Sequence, residues 1–380
     1  MKPYEIFSQP RLDTAIEKTS RGLLSTLDVQ LLGFCNAACL KCDTPYHGIH
    51  PNRHKIDLAT IQSFIETGSL DSIAICGKGE STARRNLDDL KFILNVAHKQ
   101  KIPVHAFYNA LELDNEILDH IQNGTFHIMA QFNSLDPAKV ETQMGLDRAH
   151  PRKSLKISNI TPCNTNAGEL ARQQLRNLHT LAEIARTQTG ETTNIGLSIV
   201  PESYNIGEME SMLAFAIDNK MSVLVGGLEQ AGRATGDRYD ELAISPLETL
   251  CVRNLMAERD IPASAPTCPY IFSSIHLDSY NRVNADMATG SSCTWFNLLD
   301  NNYAKKIHFG KSHEKSFSEF NDDIMNHRIS VLPNLKRMAS ETEDTHVIGG
   351  CGGRKPEVLR ILAETTEAAS THTERVCEKT

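Results

Sequence analysis

Six short β-rich runs alternate with helical patterns between Leu27 and about residue 260, and this alternation narrows the possible folds more than any other feature. The β-rich runs are Leu27–Gly33, Ser72–Cys76, Pro103–Phe107, Phe126–Phe132, Asn194–Val200 and Met221–Gly226. Between them, Leu58–Glu66, Leu87–His98, Asn115–Gln122, Ala167–Thr187 and Gly207–Asn219 carry helical patterns. A long loop is expected between Phe132 and Ala167. Ser245 reads as an N-cap with Pro246 in the first turn of a closing helix. Repeated βα units with right-handed crossovers build a parallel sheet or a barrel. Six units favour an α/β fold, a partial (β/α)6 barrel with its site at the carboxyl ends of the strands.

Past Ile261 the pattern changes. Pro262, Pro266 and Pro269 mark a linker, and Ser274–Asp278 and Arg282–Asn284 read as a hairpin around Ser279-Tyr280-Asn281. The expected organisation is an N-terminal extension over 1–26, the barrel core over 27–260, and a smaller C-terminal α+β domain over 261–380. The chain has 380 residues and a formal charge of −8, with no long Lys/Arg cluster, which disfavours a nucleic-acid substrate. No apolar run approaches the roughly eighteen residues of a membrane span, and the N-terminus lacks a signal-peptide core. A cytoplasmic location is expected. In that reducing compartment ten cysteines point to metal or redox chemistry rather than a disulfide framework.

Three of those cysteines form the hook Cys35-Asn-Ala-Ala-Cys39-Leu-Lys-Cys42, directly after the first β-rich run. Thiolates are the ligands that iron–sulfur clusters select, and three of them leave one iron of a cubane open to a non-protein ligand. The spacing alone also allows a zinc hook completed by His47 or His50, or three buried core thiols. After the second run stands Gly77-Lys-Gly-Glu80. Its glycines permit unusual φ and close backbone approach, and its carboxylate suits an ammonium group. Alone, this segment also matches an ordinary turn.

Together, the hook, the Gly77–Glu80 segment and the βα repeat resemble the radical S-adenosylmethionine superfamily. The resemblance implies that Cys35, Cys39 and Cys42 hold a [4Fe–4S] cluster whose open iron takes S-adenosylmethionine. It also implies that Gly77, Gly79 and Glu80 receive the cofactor's amino group. One-electron cleavage then gives a 5′-deoxyadenosyl radical that removes a substrate hydrogen, the electron coming from a donor such as flavodoxin or ferredoxin. Two positions depart from the family pattern: Lys41 replaces an aromatic residue, and Lys78 splits the paired glycines. Phe132-Asn-Ser-Leu-Asp136, Asn205 and Leu228-Glu-Gln-Ala-Gly-Arg-Ala234 resemble cofactor-contacting strand ends of one branch. That likeness makes Asn109, Ser134, Asn205 and Leu228 candidate cofactor contacts. By themselves these are ordinary loop residues, and Arg233 reads as a surface residue.

The tail, with Cys268, Cys293, the His308-Phe-Gly310 run and Gly349-Gly-Cys351-Gly-Gly353, resembles the twitch/SPASM-like auxiliary-cluster domain of that branch. The implied second [4Fe–4S] cluster takes Cys268, Cys293 and Cys351. Its fourth ligand is Cys377, a non-Cys group, or an iron left open for substrate. Three scattered buried thiols are the alternative. Cys163, in Thr161-Pro-Cys-Asn-Thr165, is a candidate hydrogen-atom donor or a plain loop cysteine. The first expectation is therefore a radical enzyme that dehydrogenates, epimerises or rearranges a small molecule. The second is a peptide-maturing enzyme, ranked lower because too few residues precede Leu27 for a leader-binding domain. The third is a non-enzymatic iron–sulfur scaffold or electron carrier.

Overall fold

The computed structural model describes residues 9–31, 34–42, 56–75, 79–146, 167–188, 193–228, 233–234, 236–261, 274–277, 282–284, 308–311 and 313–326. Strands β1 (Thr26–Val29), β2 (Ser72–Ile75), β3 (Val104–Tyr108), β4 (Phe126–Gln131), β5 (Ile195–Ile199) and β6 (Ser222–Val225) pair successively, each parallel to the next. Helices α2 (Leu58–Thr67), α3 (Leu87–Gln100), α4 (Asn115–Gln122), α6 (Ala167–Thr187) and α7 (Met209–Asp218) fall between them as the periodicity requires. The six-stranded parallel sheet is open. Among the described residues β6 pairs with β5 alone.

On the other side β7 (Ser274–Leu277) lies parallel to β1, and β8 (Arg282–Asn284) and β9 (His308–Lys311) follow antiparallel. The expected hairpin is thus present, and it continues the sheet of the core. A helix at 317–326 packs Phe317 and Phe320 edge-on against Phe64 of α2. Its Asn321 accepts from Leu24 N at 3.0 Å and donates to Gly22 O at 3.1 Å.

Each strand shows two faces. Leu27 and Val29, Ile73 and Ile75, Val104 and Ala106, Ile128 and Ala130, Leu197 and Ile199 turn to the helices in one continuous apolar core. With a side-chain period of two, the intervening residues face the other way. Those residues are largely polar: Thr26, Asp28, Ser72, His105, His127, Gln131, Ser198 and Ser222. Thr26 and Ser72 hydroxyls meet at 3.1 Å, and the His105 and His127 rings stack edge-on with centroids 4.7 Å apart. A parallel sheet buried on both faces is usually apolar on both. This one is apolar on one face and largely polar on the other.

Among the described residues, helices α1 (Gln9–Ser20), α5 (Pro137–Met144) and α8 (Asp237–Leu242), the 3-10 turn Ile206–Glu208 and strand β9 were absent from the sequence expectation. The closing helix α9 (Pro246–Glu258) has the expected cap, with Ser245 and Glu248 forming a complete capping box. The segment expected as one long loop after Phe132 starts with α5, which opens on an Asp136 cap with Pro137 behind it. It closes on Gly145 in the left-handed region, φ 56°. A Cβ at Gly145 would lie 2.4 Å from Ala38 O, inside the cysteine hook. We therefore expect Gly145→Ala to cost about 1–2 kcal/mol for backbone conformation alone. Displacement of the hook adds to that cost, and the whole effect reads out as a lower urea midpoint.

Candidate functional site

The hook has no regular secondary structure, and neighbouring elements hold it from several sides. Ala38 N donates to Met144 O and Leu40 N to Gln143 O, both at 2.8 Å. These carbonyls belong to the last turn of α5, where a helix leaves its acceptors unsatisfied. From the turn after β2, Glu80 N donates to Phe34 O at 2.7 Å. From beyond β6, Arg233 N donates to Cys42 O at 2.9 Å and its Nη1 to Cys39 O at 3.0 Å. Leu40 packs under the hook with Ala234, Leu242 and Leu228.

The three thiols stand together, each partly buried. Burial, then the neighbouring Cys39 and Glu80, raise the Cys35 pKa well above the usual thiol value. Burial, then Cys42, push Cys39 up to about 12, against Lys41, a hydrogen bond from Gln131, and Arg233. That Gln131 Nε2 lies 3.9 Å from Cys39 Sγ. Three soft donors crowded so that each hinders its neighbour's ionisation are a fit for a cationic iron–sulfur core, which favours the thiolates. Among the described residues no three His, Cys, Asp or Glu side chains gather closely enough for a single metal ion. Cluster thiolates each take a separate iron and stand farther apart than the ligands of one ion.

Glu80 is 4% exposed and sits beside the hook. Its carboxylate accepts from Thr82 N at 3.1 Å, Thr82 Oγ1 at 2.9 Å and Asn109 N at 2.8 Å. No cation pairs with it among the described residues. Burial raises its pKa from the usual 4.5 to about 7, against those three hydrogen bonds. A buried carboxylate without a counter-charge is costly unless a cation arrives. Gly79, before it, has φ 101°, so the glycine there is a conformational requirement.

Other expected contacts serve as stitches between strand ends. Asn109 Nδ2 donates to Asn36 Oδ1 at 2.7 Å, and Asn36 Nδ2 donates to Glu112 Oε1 at 3.0 Å, tying the hook to the end of β3. Ser134, fully buried, donates to Glu208 Oε2 at 2.6 Å. Asn205 donates to Asn133 O at 3.0 Å and Val200 O at 3.1 Å, joining the ends of β4 and β5. Leu228 reaches the hook through Leu40. Gly77, Cys163, Cys268, Cys293, Cys351 and Cys377 lie outside the described residues.

Several site residues escaped the sequence reading. Gln131 and Asn36 are polar residues with partners distant in sequence, and no local pattern marks them. Arg233, expected at the surface, is half-buried beside the thiols. Burial lowers its pKa, and Cys42, Cys39 and Cys35 oppose the shift. Lys41, the residue in the aromatic position, has its Nζ 3.1 Å from Glu202 Oε1, whose side chain is fully buried. The pair is in contact without hydrogen-bond alignment. A cation where an aromatic is expected was the available signal for a buried carboxylate.

No protein-family model matches the chain, and no characterised protein matches it in sequence. Solved structures do match it. The chain resembles Streptococcus suis SuiB bound to its precursor peptide SuiA, with TM-score 0.54 and 12% identity over 83% of this chain and 70% of that one. SuiB bound to S-adenosylmethionine matches at 0.53, with 12% identity over 83% and 71%. anSMEcpe with bound AdoMet and the Cp18Cys peptide matches at 0.50, with 11% identity over 92% and 99%. Likenesses at 11–12% identity show that this chain shares the fold of these structures.

Two outcomes follow from the buried charges. Glu80 has a higher pKa folded than unfolded, so its stabilising contribution is full below about pH 4.5 and is lost as pH rises through about 7. Metal-free wild type should therefore lose stability relative to Glu80→Gln between about pH 5 and pH 8 in urea unfolding. Lys41→Ala leaves Glu202 buried without a cation and should cost about 3–5 kcal/mol. Lys41→Met with Glu202→Leu should recover most of that loss.

Proposed function

We propose that the chain is a radical S-adenosylmethionine enzyme whose hook, Cys35, Cys39 and Cys42, carries a [4Fe–4S] cluster. One observation carries this reading: a three-thiol hook stands beside Glu80, a buried carboxylate with no counter-charge among the described residues. Cluster and cofactor together supply reductive cleavage of the sulfonium and a radical that takes hydrogen from a substrate. The chain's residues do the rest. Glu80, with Gly77 and Gly79, receives the amino group, and its oxygens are already aimed by Thr82 and Asn109 N. Asn109, Ser134, Asn205 and Leu228 shape the rim that receives the adenosyl part, holding the ends of β3 to β6 in place. Leu111, Val140, Met144 and Leu146, against which Cys35 and Cys39 pack, and the packing of Leu40 shield the hook from water.

The substrate we propose is a small polar molecule, because Gln131 and Ser198, near the carboxyl ends of β4 and β5, are polar and partly exposed on the face away from the apolar core. The outcome is dehydrogenation, epimerisation or rearrangement, with Cys163 as a candidate hydrogen donor. A peptide substrate is the second reading, and the peptide-bound SuiB and anSMEcpe structures favour it. The proposal keeps the core over 27–260 and the tail over 261–380, with an auxiliary [4Fe–4S] cluster on Cys268, Cys293 and Cys351, and Cys377 a candidate fourth ligand. A small iron–sulfur or flavin protein in the cytoplasm would supply the electron. No helix among the described residues is long and apolar enough to cross a membrane.

After anaerobic reconstitution and reduction with S-adenosylmethionine, the protein should release 5′-deoxyadenosine and methionine. An intact cluster without either product would leave an electron carrier as the answer. Replacing Cys35, Cys39 and Cys42 with alanine should abolish cleavage and leave about four irons on the tail. Near-zero residual iron would remove the auxiliary cluster from the proposal.

A further inference from the structure

We propose that Arg233 and Gln131 set the reduction potential of the hook's cluster, acting on Cys39 from two sides. The inference rests on the reading above, that the hook holds a [4Fe–4S] cluster. Gln131 comes from the last position of β4, and its Nε2 lies 3.9 Å from Cys39 Sγ. The same nitrogen donates to Asn133 Oδ1 at 2.9 Å, and Gln131 O accepts from Gln174 Nε2 at 3.1 Å. Both ends of the residue are therefore fixed, and the amide cannot swing away from the sulfur without breaking them.

Arg233 approaches from beyond β6. Its Nη1 holds Cys39 O and its backbone N–H holds Cys42 O. Its Nη2 is buried and makes no hydrogen bond among the described residues. No carboxylate there pairs with the guanidinium either. The second nearby cation differs on this point, because Lys41 has its charge matched by Glu202 at 3.1 Å. Among the described residues Lys41 has a carboxylate partner and Arg233 has none.

Reduction adds one negative charge to the cluster. A hydrogen bond to a ligating sulfur and a fixed positive charge both favour the reduced form, so both raise the potential. Burial strengthens the effect, since solvent and salt screen a partly buried pair less than a surface one. Arg233 and Gln131 are thus positioning residues whose effect appears in a potential, which mere structural support would leave unchanged.

The test is an EPR-monitored redox titration of the anaerobically reconstituted full-length protein. The signal that changes on adding S-adenosylmethionine identifies the hook's cluster. Arg233→Gln should move the midpoint to a more negative value, and Arg233→Lys should restore most of it. Gln131→Leu should shift it in the same direction by less. Arg238→Gln, which removes a charge on α8 whose side chain is 38% exposed, should leave the midpoint in place. A wild-type midpoint in Arg233→Gln, or equal shifts in Arg233→Gln and Arg233→Lys, would overturn the proposal. If Arg233→Gln does not fold, Gln131→Leu decides, and an unmoved midpoint sinks the idea. A wild-type protein that forms no hook cluster removes the reading and this inference together. A wild-type hook signal with unmoved variants removes this inference alone.

Discussion

The structure depends on how a loop with no secondary structure of its own is held still. Ordering backbone costs about 1–2 kcal/mol per residue, and the hook must meet that cost without an internal hydrogen-bond ladder. It does so by borrowing from its neighbours. The spare carbonyls of α5 accept from Ala38 and Leu40, the turn after β2 donates to Phe34, and Arg233 holds two further carbonyls. Each bond is worth about 1 kcal/mol net, so no one of them suffices, and the packing of Cys35, Cys39 and Leu40 on apolar neighbours adds to them. The elements that hold the hook are separated widely in the chain. The site therefore exists only once the sheet is assembled.

Charge is arranged with the same economy. Among the described residues around the hook, the Glu80 carboxylate and the Arg233 guanidinium have no ion-pair partner, and Lys41 with Glu202 form one matched buried pair. A site built this way favours a ligand that brings a cationic group to one place and negative charge to another. Lys41 of the matched pair occupies the position where the resemblance led us to expect an aromatic residue. It holds the hook to the end of β5 by charge, where an aromatic would work by packing.

Much of this was legible in the sequence, for identifiable reasons. Helical and strand periods fixed the six βα units to within a few residues, since Ile73, Ile75, Val104 and Ala106 repeat every second position over one apolar core. The first run was expected to reach Gly33, yet the strand ends at Val29, because apolar Leu31 and Leu32 extend the pattern past the last ladder pair. Helix α5 was missed although Asp136, Pro137 and Gly145 are ordinary start and stop signals, because Val140 and Met144 are its only large apolar residues, where α4 of the same length has Ile117, Leu118 and Ile121. Gln131 and Lys41 could not be read locally. Gln131 lies 92 residues from Cys39, and Lys41 finds its partner only after β5. Such pairings belong to the tertiary fold. The polar face was half legible, as Asp28 and His105 interrupt strands otherwise read as buried.

The pairing of β7 with β1 also orders events in time. Thr26 sits beside Ser274, so the strand that leads into the hook gains its second neighbour only after nearly 280 residues have been made. Before then β1 is an edge strand, with one row of backbone groups open and the hook hanging from the rim of the sheet. Afterwards β1 lies between β2 and β7, and the hook rises from the middle of a nine-stranded sheet. A segment made roughly 250 residues later thus completes the pairing of β1, and a growing chain offers its three thiols in more open surroundings than a folded one.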